Sequence, residues 1–180
     1  MTASDWEPDE LDGQRFVALV APLFEAAPRF IERLAAGRPY GSWEALFAAA
    51  VRLALDMPRD EQLELLDAHP RVGAPPGSVS ALSFVEQGYD QEAASAEADS
   101  ERARIAAALD RLNREYESTF GFRYVIFVAG RPRAEIVPLM EAALQADPVV
   151  ERERALQDVV AIARDRAIKM GLMADHTAAQ

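Results

Sequence analysis

Apolar side chains recur three and four residues apart along most of this chain, and that spacing commits it to helices packed on helices. The pattern runs through Phe16, Val20, Leu23 and Phe24; Phe47, Val51 and Leu55; Ile105, Leu109, Leu112 and Tyr116; and Leu156, Val159, Val160 and Ala163. Residues at such intervals share one helix face, so each set is a stripe that needs an apolar partner. The punctuation agrees: Pro28 suits a first helical position, Ser42 can cap a helix, and Asp147-Pro148 offers a cap followed by a first-position proline. About eight helical segments follow from these signals. The chain has 180 residues, half of them hydrophobic, which is ample core for one compact all-α domain.

Two stretches depart from a plain bundle. "HPRVGAPPGSVSALS", from His69 to Ser83, is rich in proline and glycine, and irregular backbone of about fifteen residues inside a domain is often functional. "GFRYVIFVAGRP", from Gly121 to Pro132, has the composition of a short strand. With no second strand to pair with, it is expected to be an extended segment, near residues 122–130, packed between helices, its backbone groups bonded elsewhere. Pro138 inside "RAEIVPLMEAAL" predicts a kink or a late helix start.

Charge and cysteine content exclude several functions. A formal net charge of −11 opposes nucleic-acid binding, which needs clustered Lys and Arg. The same charge repels small anions, so an anion site here needs its own cation or aimed N–H donors. Cysteine is absent, which rules out thiolate nucleophiles, disulfides and Cys-based metal sites. The only other histidine is His176, near the C-terminus, so no His-rich metal site is expected either. No signal peptide, no apolar run of about 18 residues and no peroxisomal tripeptide is visible, and a soluble cytoplasmic protein is expected.

His69 precedes Pro70, which holds it in extended backbone just past a helix ending near Asp67. An imidazole with an ordinary pKa of about 6.5 can donate or accept a proton near neutrality. Its competing role is to satisfy a loop carbonyl. In "SFVEQ", Ser83 to Gln87, a hydroxyl, a carboxylate and an amide lie close together, yet Ser83-x-x-Glu86 also reads as a capping box that opens a helix. Arg164 and Arg166 both flank the last stripe. Either can clamp an anion or pair with a carboxylate such as Asp165 or a distant Glu, and spacing does not choose between them.

Seven short motifs occur in order: "FE-x-x-P" (Phe24, Glu25, Pro28), "RPY-x-S" (Arg38 to Ser42), "AHPRVG" (Ala68 to Gly73), "S-x-x-EQ" (Ser83, Glu86, Gln87), "LN-x-x-Y-x-x-x-FGF" (Leu112 to Phe122), "V-x-GR" (Val128 to Arg131) and "I-A-x-x-R" (Ile162 to Arg166). Together they resemble the OHCU decarboxylase family. The resemblance implies an all-helical domain over residues 12–172, with tails 1–11 and 173–180. It also implies a homodimer, no cofactor and no metal. The implied reaction turns 2-oxo-4-hydroxy-4-carboxy-5-ureidoimidazoline into (S)-allantoin and CO2 in urate breakdown. It further implies that His69 is catalytic, with Pro70, Ser83, Phe84, Val85, Glu86, Gln87, the Tyr124, Val125, Ile126, Phe127 and Val128 stretch, and Arg166 around the substrate. Competing readings are a non-catalytic helical interaction module and a hydrolase or isomerase of a related ureide. Pro132 stands where the family often has a capping serine.

Overall fold

A computed structural model describes residues 7–74, 77, 80–87 and 96–174, without the side chains of residues 81, 84 and 96–99. The capping chemistry acts where the sequence places it. Asp12 accepts from the Arg15 N–H at 2.8 Å and opens α1 (Gly13–Val20). Pro28 is the first residue of α2 (Pro28–Ala36), and Ser42 accepts from the Ala45 N–H at 3.1 Å ahead of α3 (Trp43–Asp56). After α4 (Arg59–Ala68), α5 (Ala81–Glu86), α6 (Ala96–Phe120) and α7 (Arg133–Ala143), Asp147 accepts from the N–H groups of Val149 and Val150 and opens α8 (Pro148–Lys169). A 3-10 turn, Ala21–Phe24, follows α1. Among the described residues the regular elements are these eight α-helices and this turn, with no strand, and no helix is long and apolar enough to cross a membrane.

Contacts divide the chain into two compact units: one runs to Ala68 and resumes at Leu156, the other spans His69–Ala155. In the first, α2 packs on α1, α3 and α4. Phe16, Leu23, Phe24, Phe30 and Leu34 are fully buried, and the Phe24 and Phe30 rings meet edge to face at 4.9 Å. Each such side chain contributes roughly 1.5–3 kcal/mol by burial. The α2–α4 ion pairs, Arg29 with Asp60 and Glu64 and Arg33 with Glu61, lie at the surface, where solvent and salt screen them and side-chain entropy opposes them. Packing, not charge, therefore fixes the helices. In α3 burial goes to Trp43, Leu46, Phe47, Ala50 and Ala54, and the stripe read from sequence turns partly outward at Val51 and Leu55. Apolar residues cover most of this helix, so spacing alone does not choose the buried face.

The "RPY" motif staples the segment ahead of α1. Arg38 donates to the carbonyls of Asp9 and Leu11, and Tyr40 Oη donates to the Leu34 carbonyl at 2.7 Å. The Asp9 carboxylate accepts from the N–H groups of Tyr40 and Gly41.

In the second unit α6 packs on α7. Ile136 and Met140 of α7 are buried, as are Leu109, Leu112 and Tyr116 of α6. The Tyr116 ring is the hub of an aromatic cluster, 4.6 Å from Phe120, 5.6 Å from Phe122 and 5.0 Å from Tyr124 between ring centroids. Gly121, at φ +80, turns the chain between α6 and these aromatics. Helix α7 begins at Arg133 and continues through Pro138, so the alternative of a late start is not realised. Proline there forgoes one helical N–H bond, which the flanking turns tolerate.

Candidate active site

Helix α4 ends at Ala68, and His69 follows at once on non-helical backbone, as its proline neighbour requires. The side chain is buried, 3% exposed. Of its ring nitrogens, Nε2 is shielded from solvent with no hydrogen bond to protein atoms, while the residue makes other contacts.

The loop that carries it is pinned on several sides. Arg123 Nη1 donates to the His69 carbonyl at 3.0 Å. Arg71 forks onto Glu117 of α6, which raises the pKa of that guanidinium further above its ordinary range. Asn113 Nδ2 donates to the carbonyls of Val72 at 2.9 Å and Leu109 at 2.8 Å. Gln87 Oε1 accepts from the Gly73 N–H at 2.8 Å, and its Nε2 donates to the Arg71 carbonyl at 3.4 Å. Gly73 adopts φ +77, and a Cβ there would lie 2.9 Å from Leu109 Cδ1. Only glycine fits.

Gln87 brings the end of α5 onto the His69 loop. The start of α5 corrects the capping-box reading of Ser83-x-x-Glu86: the N-cap is Ser80, whose hydroxyl accepts from the Ser83 N–H at 3.2 Å. Ser83 is thereby inside the helix and buried, whereas Glu86 is half-buried and Val85 is 53% exposed. The Phe84 side chain and His176 lie outside the described residues.

Residues 123–128 are neither helix nor strand, and the carbonyls of Val125, Phe127 and Val128 accept from arginine side chains. Val125 accepts from Arg154 Nη2 at 3.0 Å. Phe127 and Val128 accept from Arg131 at 2.7 and 2.9 Å, closing a turn through Ala129 and Gly130, both at positive φ. This is the role of "V-x-GR". Tyr124 and Val125 are buried, and Ile126, Phe127 and Val128 half-buried. The segment joins the His69 loop through Arg123.

Arg166 belongs to the other unit and is 1% exposed, while Arg164 is half-buried. Its fork donates to the carbonyls of Pro22 and Leu23 and to Glu25 Oε1 at 2.8 Å. Burial thus separates two arginines that spacing left equal, and the "distant Glu" is Glu25. Sequence reasoning missed Asn113, Glu117, Arg123, Glu151 and Arg154. Asn113 lay inside a quoted motif, but its acceptor, 41 residues away, has no local signal.

The described residues define a small all-helical protein with a buried histidine on a pinned loop, and comparison with known proteins gives its class. The chain matches the OHCU decarboxylase family over residues 9–168. It is 32% identical over 158 residues to the 2-oxo-4-hydroxy-4-carboxy-5-ureidoimidazoline decarboxylase of Haloferax volcanii, covering 88% of this chain and 90% of that protein. It is 27% identical to the uric acid degradation bifunctional protein of Bacillus sp. (strain TB-90), with 88% of this chain matching 30% of that longer protein. The fold is shared with a crystal structure of an OHCU decarboxylase in the presence of (S)-allantoin, at a TM-score of 0.63 and 24% identity, over 84% of this chain and 95% of that one. The chain belongs to the OHCU decarboxylase family.

Proposed function

We propose that this protein is a cofactor-independent carboxy-lyase that converts 2-oxo-4-hydroxy-4-carboxy-5-ureidoimidazoline to (S)-allantoin and CO2 in urate breakdown. The observation that carries this reading is the family match over residues 9–168, which spans a buried histidine on a pinned loop. Loss of CO2 leaves an electron pair on the ring carbon, which the adjoining imidazolinone and ureido groups can take up. The protein then has to hold the carboxylate out of conjugation, support the developing charge and deliver one proton to one face.

His69 moves that proton, and the face it meets sets the product's configuration. Pro70 shapes the wall beside it. Ser83, Phe84, Val85, Glu86 and Gln87 form the substrate-holding turn, in which Glu86 and Gln87 take the ureido and hydroxyl groups. Gln87 can serve loop and substrate together, because its amide nitrogen carries two N–H groups. The backbone of Tyr124 to Val128 and the Arg166 fork orient the anion. A homodimer and a cytoplasmic location complete the proposal, and sedimentation velocity checks the first.

The test supplies urate with uricase and hydroxyisourate hydrolase and follows circular dichroism. Adding this protein should produce the signal of (S)-allantoin faster than the spontaneous racemic background. His69→Ala should lower turnover by roughly 10² to 10⁴. No enantiomeric excess with the wild type, or full turnover and unchanged configuration with His69→Ala, overturns the reading.

A further inference from the structure

The segment between α6 and α7 has neither helical nor strand bonds over residues 123–128, so side-chain donors help set its position. At its C-terminal end Arg131 bonds back three and four residues, to Val128 and Phe127, which fixes the turn but not where the segment lies. At Val125 the donor comes from elsewhere. Arg154, on the second turn of α8, gives Nη2 to the Val125 carbonyl at 3.0 Å and sets its guanidinium 5.2 Å from the centre of the Tyr124 ring.

The fork of Arg154 is itself aimed. Its Nε donates to Glu151 Oε2 at 2.8 Å and its Nη2 to Glu151 Oε1 at 2.5 Å. Glu151 is 2% exposed and accepts a third bond, from Tyr116 Oη at 2.7 Å. Burial, then the Glu151 carboxylate, push the Tyr116 phenol well above its ordinary range, so it remains a donor. The chain of contacts therefore runs from Tyr116 through Glu151 and Arg154 to one peptide carbonyl. Two residues before that carbonyl, Arg123 holds the backbone of His69.

We infer that Glu151 and Arg154 are positioning residues, which set the backbone of the segment between α6 and α7 at Val125 so that it meets the substrate. This rests on the function proposed above. The aromatic cluster around Tyr116 already packs the Tyr124 side chain, so the arginine adds precision in the backbone rather than the packing itself. Loss of such precision is read in substrate affinity, because the segment holds the substrate and does not move the proton.

The experiment compares Arg154→Met, Glu151→Gln and the double variant with the wild type in the coupled dichroism assay, each at matched folded concentration. Each single change should raise KM by about tenfold with kcat within about threefold, a pattern that loss of folded protein alone does not produce. The double variant should be no worse than the worse single, since the two act through one contact. Arg154→Lys, which keeps the charge, should recover part of the affinity. Unchanged KM, or additive losses, overturns the inference and leaves the proposed reaction standing. A wild type that makes no (S)-allantoin overturns both. Should Arg154→Met not fold, Glu151→Gln carries the same readout, because it keeps the shape and the acceptor for Tyr116.

Discussion

At the scale of single residues, Arg166 is the group on which the structure and the expected chemistry make competing demands. Its ion pair with Glu25 is nearly sequestered, with side chains 1% and 12% exposed. Removing either partner leaves a buried charge uncompensated, so Arg166→Met and Glu25→Gln should each cost about 3–5 kcal/mol in urea denaturation. Kinetics then separate the roles. Arg166→Lys keeps the charge but loses the planar fork. If that fork also orients the substrate, kcat/KM should fall about a hundredfold in Arg166→Lys and far less in Glu25→Gln. Equal losses in the two would mean that the arginine acts only through its ion pair. Spacing identified Arg164 and Arg166 together and stopped there. What distinguishes Arg166 is a set of acceptors more than 140 residues away, and no local pattern encodes those.

Among the elements, those with their own chemical punctuation were legible: Pro28, Ser42 and Asp147 open α2, α3 and α8 as read. Helix α5 was misread by one turn because two serines stand three apart. Ser80 and Ser83 are both plausible caps, and the burial of Ser83 inside the helix decides for Ser80. The break from helix between α6 and α7 was legible from its glycines and its β-branched and aromatic residues, but not the arginines that hold it. The His69 loop yields a prediction at this scale, since it closes against α6 through Gly73. Gly73→Ala forces an L side chain to φ +77 and drives a methyl into Leu109. The backbone strain costs about 1–2 kcal/mol, and relief by shifting the loop would loosen the bond from the Gly73 N–H to Gln87. Both the melting temperature and kcat/KM should therefore fall. A variant that loses stability at constant kcat/KM would show that the loop does not shape the site.

For the whole molecule, the all-helical class followed from spacing, because stripes at helical intervals persist through most of the chain. The division of contacts at Ala68 and Leu156 did not, since Leu156 lies within the continuous helix α8. Acid stability follows from carboxylates anchored in the fold. The N–H of Gly41, then that of Tyr40 and the nearby Arg38, hold the Asp9 carboxyl below its ordinary range against the cost of burial. Arg29 does the same for Asp60, and Arg33 for Glu61. A folded pKa below the unfolded one contributes stability above the unfolded value, about 4 for these groups, and loses it as pH falls through the folded value. The melting temperature should be level near neutrality and drop below about pH 4, with Asp9→Asn flattening part of that limb. Added salt should weaken the Arg29 and Arg33 share, which is exposed, more than the share of Asp9. A melting curve indifferent to acid would refute the assignment. Glu25, finally, sits at φ 48, ψ 34, a left-handed basin that an L residue enters at a cost, and its neighbour Ala26 does likewise at φ 58. Glycine would relax that backbone but has no carboxylate, and asparagine tolerates the basin but carries no charge. A lineage drifting at position 25 can gain an easier turn only by abandoning the buried guanidinium, so lasting changes there should arrive together with changes at position 166.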